Sequence, residues 1–169
     1  MLKETSWSGL AARAQAPYRL VDFTVDGNTT HGVLADLVRA PAAADVVTLT
    51  AGGNDLLGGD LPRAILRRLH QIAQRIEALG ARVVVDTIYD PSDGDNDLGR
   101  RELGLSWLAT IELRLNAVNR GIAELAAEHD FLLADLVRLF RGHGVASDDP
   151  WFVQLIEPNL AGATAIAEN

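Results

Sequence analysis

Val46-Val47-Thr48-Leu49-Thr50-Ala51-Gly52-Gly53-Asn54-Asp55-Leu56-Leu57 is an apolar, β-branched run that ends in a Gly-Gly-Asn-Asp turn and passes into helix-forming leucines. It reads as a buried strand, a tight turn and the start of a helix. Strand ends of this kind, at the carboxyl edge of a parallel sheet, are where α/β proteins place ligands. Two glycines let the backbone bend sharply and leave its N–H groups open, and Asn54 adds a side-chain NH2 donor beside them. Donors gathered at one point suit an oxyanion or a phosphate. The plain structural alternative is a strand-to-helix turn in which Asp55 caps the helix.

Outward from this segment the chain alternates. Residues 18–24 (YRLVDFT), 45–51, 82–88 and 131–135 (FLLAD) read as strands, largely continuous in hydrophobicity, as parallel strands covered on both faces are. Helices are expected over 5–15, 30–39, 61–79, 105–129 and 159–168. In 61–79 the apolar residues Ile65, Leu66, Leu69, Ile72, Ala73, Ile76 and Leu79 recur at three and four, forming one stripe, and Gly80 ends it. Strands alternating with helices imply right-handed crossovers and a three-layer α/β/α sandwich with a parallel flavodoxin-like sheet. One domain spanning residues 1–169 is expected. Residues 90–104 form an irregular acidic loop. Asp93, Asp95 and Asp97 have some look of a calcium loop, but the glycine and the terminal glutamate do not fall where an EF-hand needs them.

The chain has 169 residues, 48% of them hydrophobic, with 15 basic against 23 acidic residues and a formal charge of −8. No basic stripe invites nucleic acid. With no cysteine there is no disulfide, thiolate zinc site or Cys nucleophile. No segment has the length of a membrane span, and Met1 to Trp7 holds no apolar run able to act as a signal, so the chain as written is expected to be cytoplasmic. A G-x-x-x-x-G-K or G-x-G-x-x-G motif is missing, which leaves a phosphate-binding α/β domain as the weaker reading of the Gly52-Gly53-Asn54 turn. Neither cofactor nor metal is expected.

Three pieces fall on one edge of the expected sheet: Gly27 in Val25-Asp26-Gly27-Asn28-Thr29-Thr30, then Gly53-Asn54-Asp55, then Glu157-Pro158-Asn159-Leu160-Ala161-Gly162. The arrangement resembles the SGNH (GDSL-type) hydrolases, a superfamily of esterases, lipases and acylhydrolases. Tyr89-Asp90-Pro91-Ser92-Asp93-Gly94 also looks like a loop of some bacterial members. The resemblance implies an ester or acylated small-molecule substrate, with Gly27 and Asn54 as the oxyanion donors. Aligning Pro158-Asn159 places Glu157 in the slot of the catalytic histidine and Gln154 in that of the aspartate. Gln154 cannot stabilise an imidazolium as an anion, and a carboxylate of ordinary pKa ~4 is a weak base toward a serine hydroxyl.

The family's nucleophile lies in a Gly-Asp-Ser turn after its first strand. No strand precedes Ser6 or Ser8, and Ser6 reads as a helix N-cap. The first strand and its serine are therefore expected upstream of Met1, along with any signal segment, in which case the protein would be secreted. The 169-residue chain is expected to be inactive, or a ligand-binding relative of the enzymes. Among the histidines, His143 could act with Asp148 or Asp149 as its orienting acid, although a loop histidine without a role is the plainer account. His31 and His70 read as helical, and His129 ends a helix, where a cation suits the dipole. Trp107, Trp151 and Phe152 read as packing residues.

Overall fold

The computed structural model describes residues 19–40, 43–95, 97–98 and 111–169. The expected helix 5–15, with Ser6 and Ser8, and Trp107 lie outside them. Among the described residues, 24–40, 43–88 and 111–135 belong to one compact unit, and 19–23, 89–95, 97–98 and 136–169 to a second.

The first unit carries the sheet. Its elements are α1 (Thr30–Asp36), a 3-10 turn (Leu37–Arg39), β1 (Val46–Leu49), α2 (Gly53–Leu57), α3 (Pro62–Glu77), β2 (Arg82–Asp86), α4 (Ile111–Glu128) and β3 (Leu132–Ala134). The strands run in the order β1-β2-β3, all parallel, with Val46 opposite Arg82 and Val84 opposite Leu132. Two same-handed crossovers that advance in one direction place their helices on one face. Accordingly α3 and α4 pack together, and Ile65, Leu69, Ile72 and Ile76 of α3 meet Val118, Ile122 and Leu125 of α4 over Leu49, Val83 and Val85. The α3 stripe is the one legible in the sequence. Pro62 opens the helix, where its missing N–H costs nothing, and Gly80 follows it at φ +68°. Where α4 crosses α3 the approach is close: a Cβ on Gly121 would stand 2.4 Å from Leu66 Cδ2, so that leucine would have to turn aside.

The second unit holds α5 (Leu136–Leu139), the antiparallel pair β4 (Phe152–Val153) and β5 (Glu157–Pro158), and α6 (Leu160–Glu168). Phe140 is its centre, with Tyr89 stacked at 4.6 Å, Phe152 at 5.2 Å and Trp151 edge-on at 5.6 Å between ring centroids. Asn159 caps α6, its side-chain oxygen accepting from Gly162 N. In the described part of the acidic loop Asp90 accepts from Ser92 N and Gly94 N, Asp95 from Asp97 N and Leu98 N, and Asp93 from Gly142 N at 3.0 Å.

Two expectations need correction. Residues 19–25 form no strand, and Leu20, Val21, Phe23 and Val25 are 40–58% exposed. A strand exists only as a member of a ladder, and this stretch joins no ladder among the described residues. The sheet is also not covered on both faces throughout, since Val46 is 50% exposed and Leu132 54%. No helix among the described residues is long and apolar enough to cross a membrane.

Candidate functional site

Gly27 lies in an exposed turn closed by Asn28 N donating to Val25 O at 3.1 Å. At φ +72° its backbone occupies the left-handed region that favours glycine, and a Cβ there would meet nothing within 4 Å. The following residues hold the turn in place. Asn28 Oδ1 accepts from Thr29 N, its Nδ2 donates to Asp36, and Thr29 caps α1 through Gly32 N.

The Gly-Gly-Asn-Asp turn reaches back to that same stretch. Gly52, at φ +109°, is the residue before α2, and a Cβ there would press on Ile65 at 3.2 Å and Ile88 at 3.3 Å. Asn54 Nδ2 donates to Asn28 O at 2.9 Å, a bond that uses one of its two amide hydrogens. Asp55 is not a helix cap. It sits inside α2, buried, with Oδ2 accepting from Thr30 N at 2.8 Å and Oδ1 from Thr30 Oγ1 at 2.6 Å. Arg68 of α3 closes the cluster, donating to Asp55 Oδ1 at 2.9 Å, to Thr30 Oγ1 at 2.6 Å and to Asp60. Burial works against the Arg68 charge, but the hydrogen bonds to Asp60 and Asp55 outweigh it and raise the guanidinium pKa above its ordinary value. The structure thus brings the Gly27 turn and Asn54 together.

The carboxyl end of β2 holds a second buried acid. Asp86 accepts from Thr50 Oγ1, and burial pushes its pKa up to about 6, against the lowering effect of that hydrogen bond. Just beyond, Asn119 of α4 clamps the chain at Ile88, accepting from its N–H at 2.7 Å and donating to its C=O at 2.8 Å. Sequence reading missed Asp86, Arg68 and Asn119, because an acid at a strand end or a polar residue on a helix carries no local mark of burial.

The residues in the Asp and His slots belong to the second unit. Gln154 and Glu157 are both exposed and flank the tip of the β4–β5 hairpin, with Glu157 paired to Val153. Gln154 and Leu155 have φ of +53° and +70°, and Ile156 N donates to Gln154 O at 2.9 Å, a three-residue γ-turn. Tyr89 Oη donates to Ile156 O at 3.1 Å and ties the hairpin down. His143 faces Asp149, with Nδ1 3.3 Å from the carboxylate Oδ2 and 3.0 Å from the backbone oxygen. Its ring lies flat on Trp151, 3.6 Å away at 11°. Asp148 is exposed.

The sequence pattern of the GDSL-like Lipase/Acylhydrolase family matches residues 3–165, and the chain belongs to that family. Esterase TesA of Pseudomonas aeruginosa is 36% identical over 76 residues, a stretch that covers 44% of this chain and only 38% of that esterase. The fold resembles a lipolytic G-D-S-L family protein of Veillonella parvula (TM-score 0.78, 16% identity, covering 99% of this chain and 86% of that one). It also resembles an extracellular lipase of Streptomyces rimosus (TM-score 0.76, 24% identity, 96% and 83%). The crystal structure of TesA superposes with a TM-score of 0.72 at 24% identity, over 99% of this chain and 86% of that one. These likenesses establish the α/β fold with its parallel sheet.

Proposed function

We propose that the chain carries the oxyanion-binding half of a GDSL-type ester site, with the Gly27 N–H and the Asn54 amide as donors to a small-molecule ester or acyl group. On this reading the 169-residue polypeptide by itself binds such a group and does not turn it over at an enzyme's rate. The observation that carries the reading is the stitching of two donor loops by Asn54 to Asn28 and by Asp55 to Thr30, a donor set held rigid before any charge develops. The inactive reading rests on the residues in two slots. Gln154 and Glu157, in the slots the family gives to aspartate and histidine, supply neither an imidazole nor its orienting anion.

Titration with a short alkylphosphonate, an anionic mimic of the tetrahedral intermediate, tests the donors. Asn54→Ala should weaken binding about 10- to 100-fold, the worth of a hydrogen bond to a charged group. Hydrolysis of p-nitrophenyl acetate and butyrate should not exceed an acceleration on the order of 10³ over water, the residue left by donors alone. Robust turnover, lost on Asn54→Ala, refutes the inactive reading and keeps the donor. Phosphonate binding untouched by Asn54→Ala refutes the donor.

A second reading has its own observation. The Nδ1 of His143, 3.3 Å from Asp149, makes the contact by which an orienting acid fixes a catalytic base. If turnover is found, His143→Ala should abolish it. Unchanged activity in that variant leaves the imidazole as a packing group on Trp151.

A further inference from the structure

Away from the ester site, the C-terminal end of α4 and the middle of α3 bring together two imidazoles and a carboxylate. One ligand atom from each of His70, Glu128 and His129 lies within 4.8 Å of the others. His70 Nδ1 is 3.9 Å from Glu128 Oε2, and the two imidazole centroids are 6.1 Å apart. A tetrahedral zinc ion with bonds of about 2.0–2.1 Å needs ligand atoms about 3.4 Å apart. The side chains of His70 and Glu128 are 40% and 65% exposed, so both have room to change rotamer toward that spacing.

His129 supplies the independent sign. Its side chain is only 10% exposed, and Nδ1 stands 3.2 Å from Glu77 Oε2. A carboxylate only accepts, so Nδ1 carries the proton, and in the neutral ring Nε2 presents a bare lone pair. That Nε2 is buried and has no hydrogen-bond partner among the described residues. A buried polar atom without a partner is costly and calls for an explanation. A carboxylate holding one imidazole nitrogen so that the other can bind a metal is the usual outer arrangement of metal-ligating histidines. The carbonyl end of α4 directly before His129, and the net charge of −8, both favour a cation.

We propose that His70, Glu128 and His129 form a site for a divalent transition-metal ion of the zinc type, with Glu77 orienting His129 and a fourth position open to water. Two imidazoles and one carboxylate suit such an ion better than calcium or magnesium, which take oxygen ligands. The ion would pin α3 to α4 and act on stability rather than on ester chemistry.

The test uses the full chain, freed of any histidine tag and stripped with a chelator, titrated with Zn2+ for thermal stability and with Co2+ for its visible d–d absorption. Zn2+ at 100-fold over its Kd should raise Tm by about 5–10 °C, and Co2+ should give the intense bands of a tetrahedral site. His70→Ala, at a half-exposed position where truncation should leave the fold intact, should abolish both signals. Glu77→Gln should weaken affinity about 10- to 100-fold. His31→Ala, outside the cluster, should change neither. The proposal is overturned if Zn2+ leaves Tm unmoved, if His70→Ala binds Co2+ as the parent does, or if His31→Ala removes the signal.

Discussion

Replacing Asp86 by asparagine should change how the fold responds to pH. Asp86 is 3% exposed at the carboxyl end of β2, with the Thr50 hydroxyl as its hydrogen-bond donor. Burial raises its pKa from an ordinary 3.8 to about 6, because one hydroxyl does not replace the water an ionised carboxylate loses. Between these values the folded chain holds a proton that the unfolded chain has released. Asp86 therefore leaves stability intact below pH ~4, erodes it as pH rises toward 6, and imposes its whole cost above that. At about 1.4 kcal/mol per pH decade, the cost at pH 7 is about 3 kcal/mol. The substituted amide would have no charge to bury and would keep a carbonyl acceptor for Thr50, though its NH2 needs a partner of its own. A net gain of about 1–3 kcal/mol at pH 7 is expected, vanishing near pH 4. Urea unfolding of parent and Asp86→Asn, monitored by circular dichroism from pH ~4 to ~8, measures it. Paired carboxylates elsewhere give slopes of the opposite sign, so the decisive quantity is the difference between the two proteins. A difference that does not vary with pH refutes the reasoning.

Asp55→Ala should cost about 3–5 kcal/mol in the same assay, because it strands the buried Thr30 hydroxyl and the Arg68 guanidinium. It should also weaken phosphonate binding by loosening the loop that Asn54 holds. Gly121→Ala should cost about 1–3 kcal/mol by driving a methyl into Leu66, and combining it with Leu66→Ala should cost less than the two changes separately.

The parts of the fold legible in the sequence are those fixed by local periodicity. The α3 stripe from Ile65 to Ile76, the Val-rich β1 and β2, and the Gly80 stop all depend on neighbours along the chain. Residues 18–24 share an apolar look with β1, yet 19–25 form no strand, because hydrophobic composition proposes a strand and only a partner ladder makes one. The β4–β5 hairpin escaped notice because two residues per strand show no alternation. At the site, Gly27 and Asn54 were singled out through a resemblance of motif, and the structure joins their two turns through Asn54 and Asn28. The residues that hold them were not: Arg68 lies on the face of α3 that periodicity reads as solvent-facing, and its partner Asp55 lies 13 residues away. The cluster of His70, Glu128 and His129 was invisible for the same reason, since only the crossing of α3 and α4 brings together residues so far apart in the chain.

Asn54 and Asp55 adjoin in sequence and do different work. Had Asp55 capped α2, the turn would be a self-contained joint between strand and helix, and the Gly27 loop would be free to drift from it. Instead α2 begins after Gly52 with no side-chain cap. The carboxylate reaches 25 residues back to the N–H and hydroxyl of Thr30. Burying that charge is tolerable because Arg68 meets it, and Arg68 is in turn steadied by Asp60 near the surface. Held this way, Asn54 needs only one of its two amide hydrogens to bind Asn28 O. On the proposed reading the other is the donor to the ligand, and the Asp55 cluster holds it in place from behind. For an oxyanion this matters more than the number of donors, because a donor that must be ordered when charge appears gives back in entropy what it gains in attraction. The Asp55 cluster is therefore where a loss of rigidity should register first as a loss of binding.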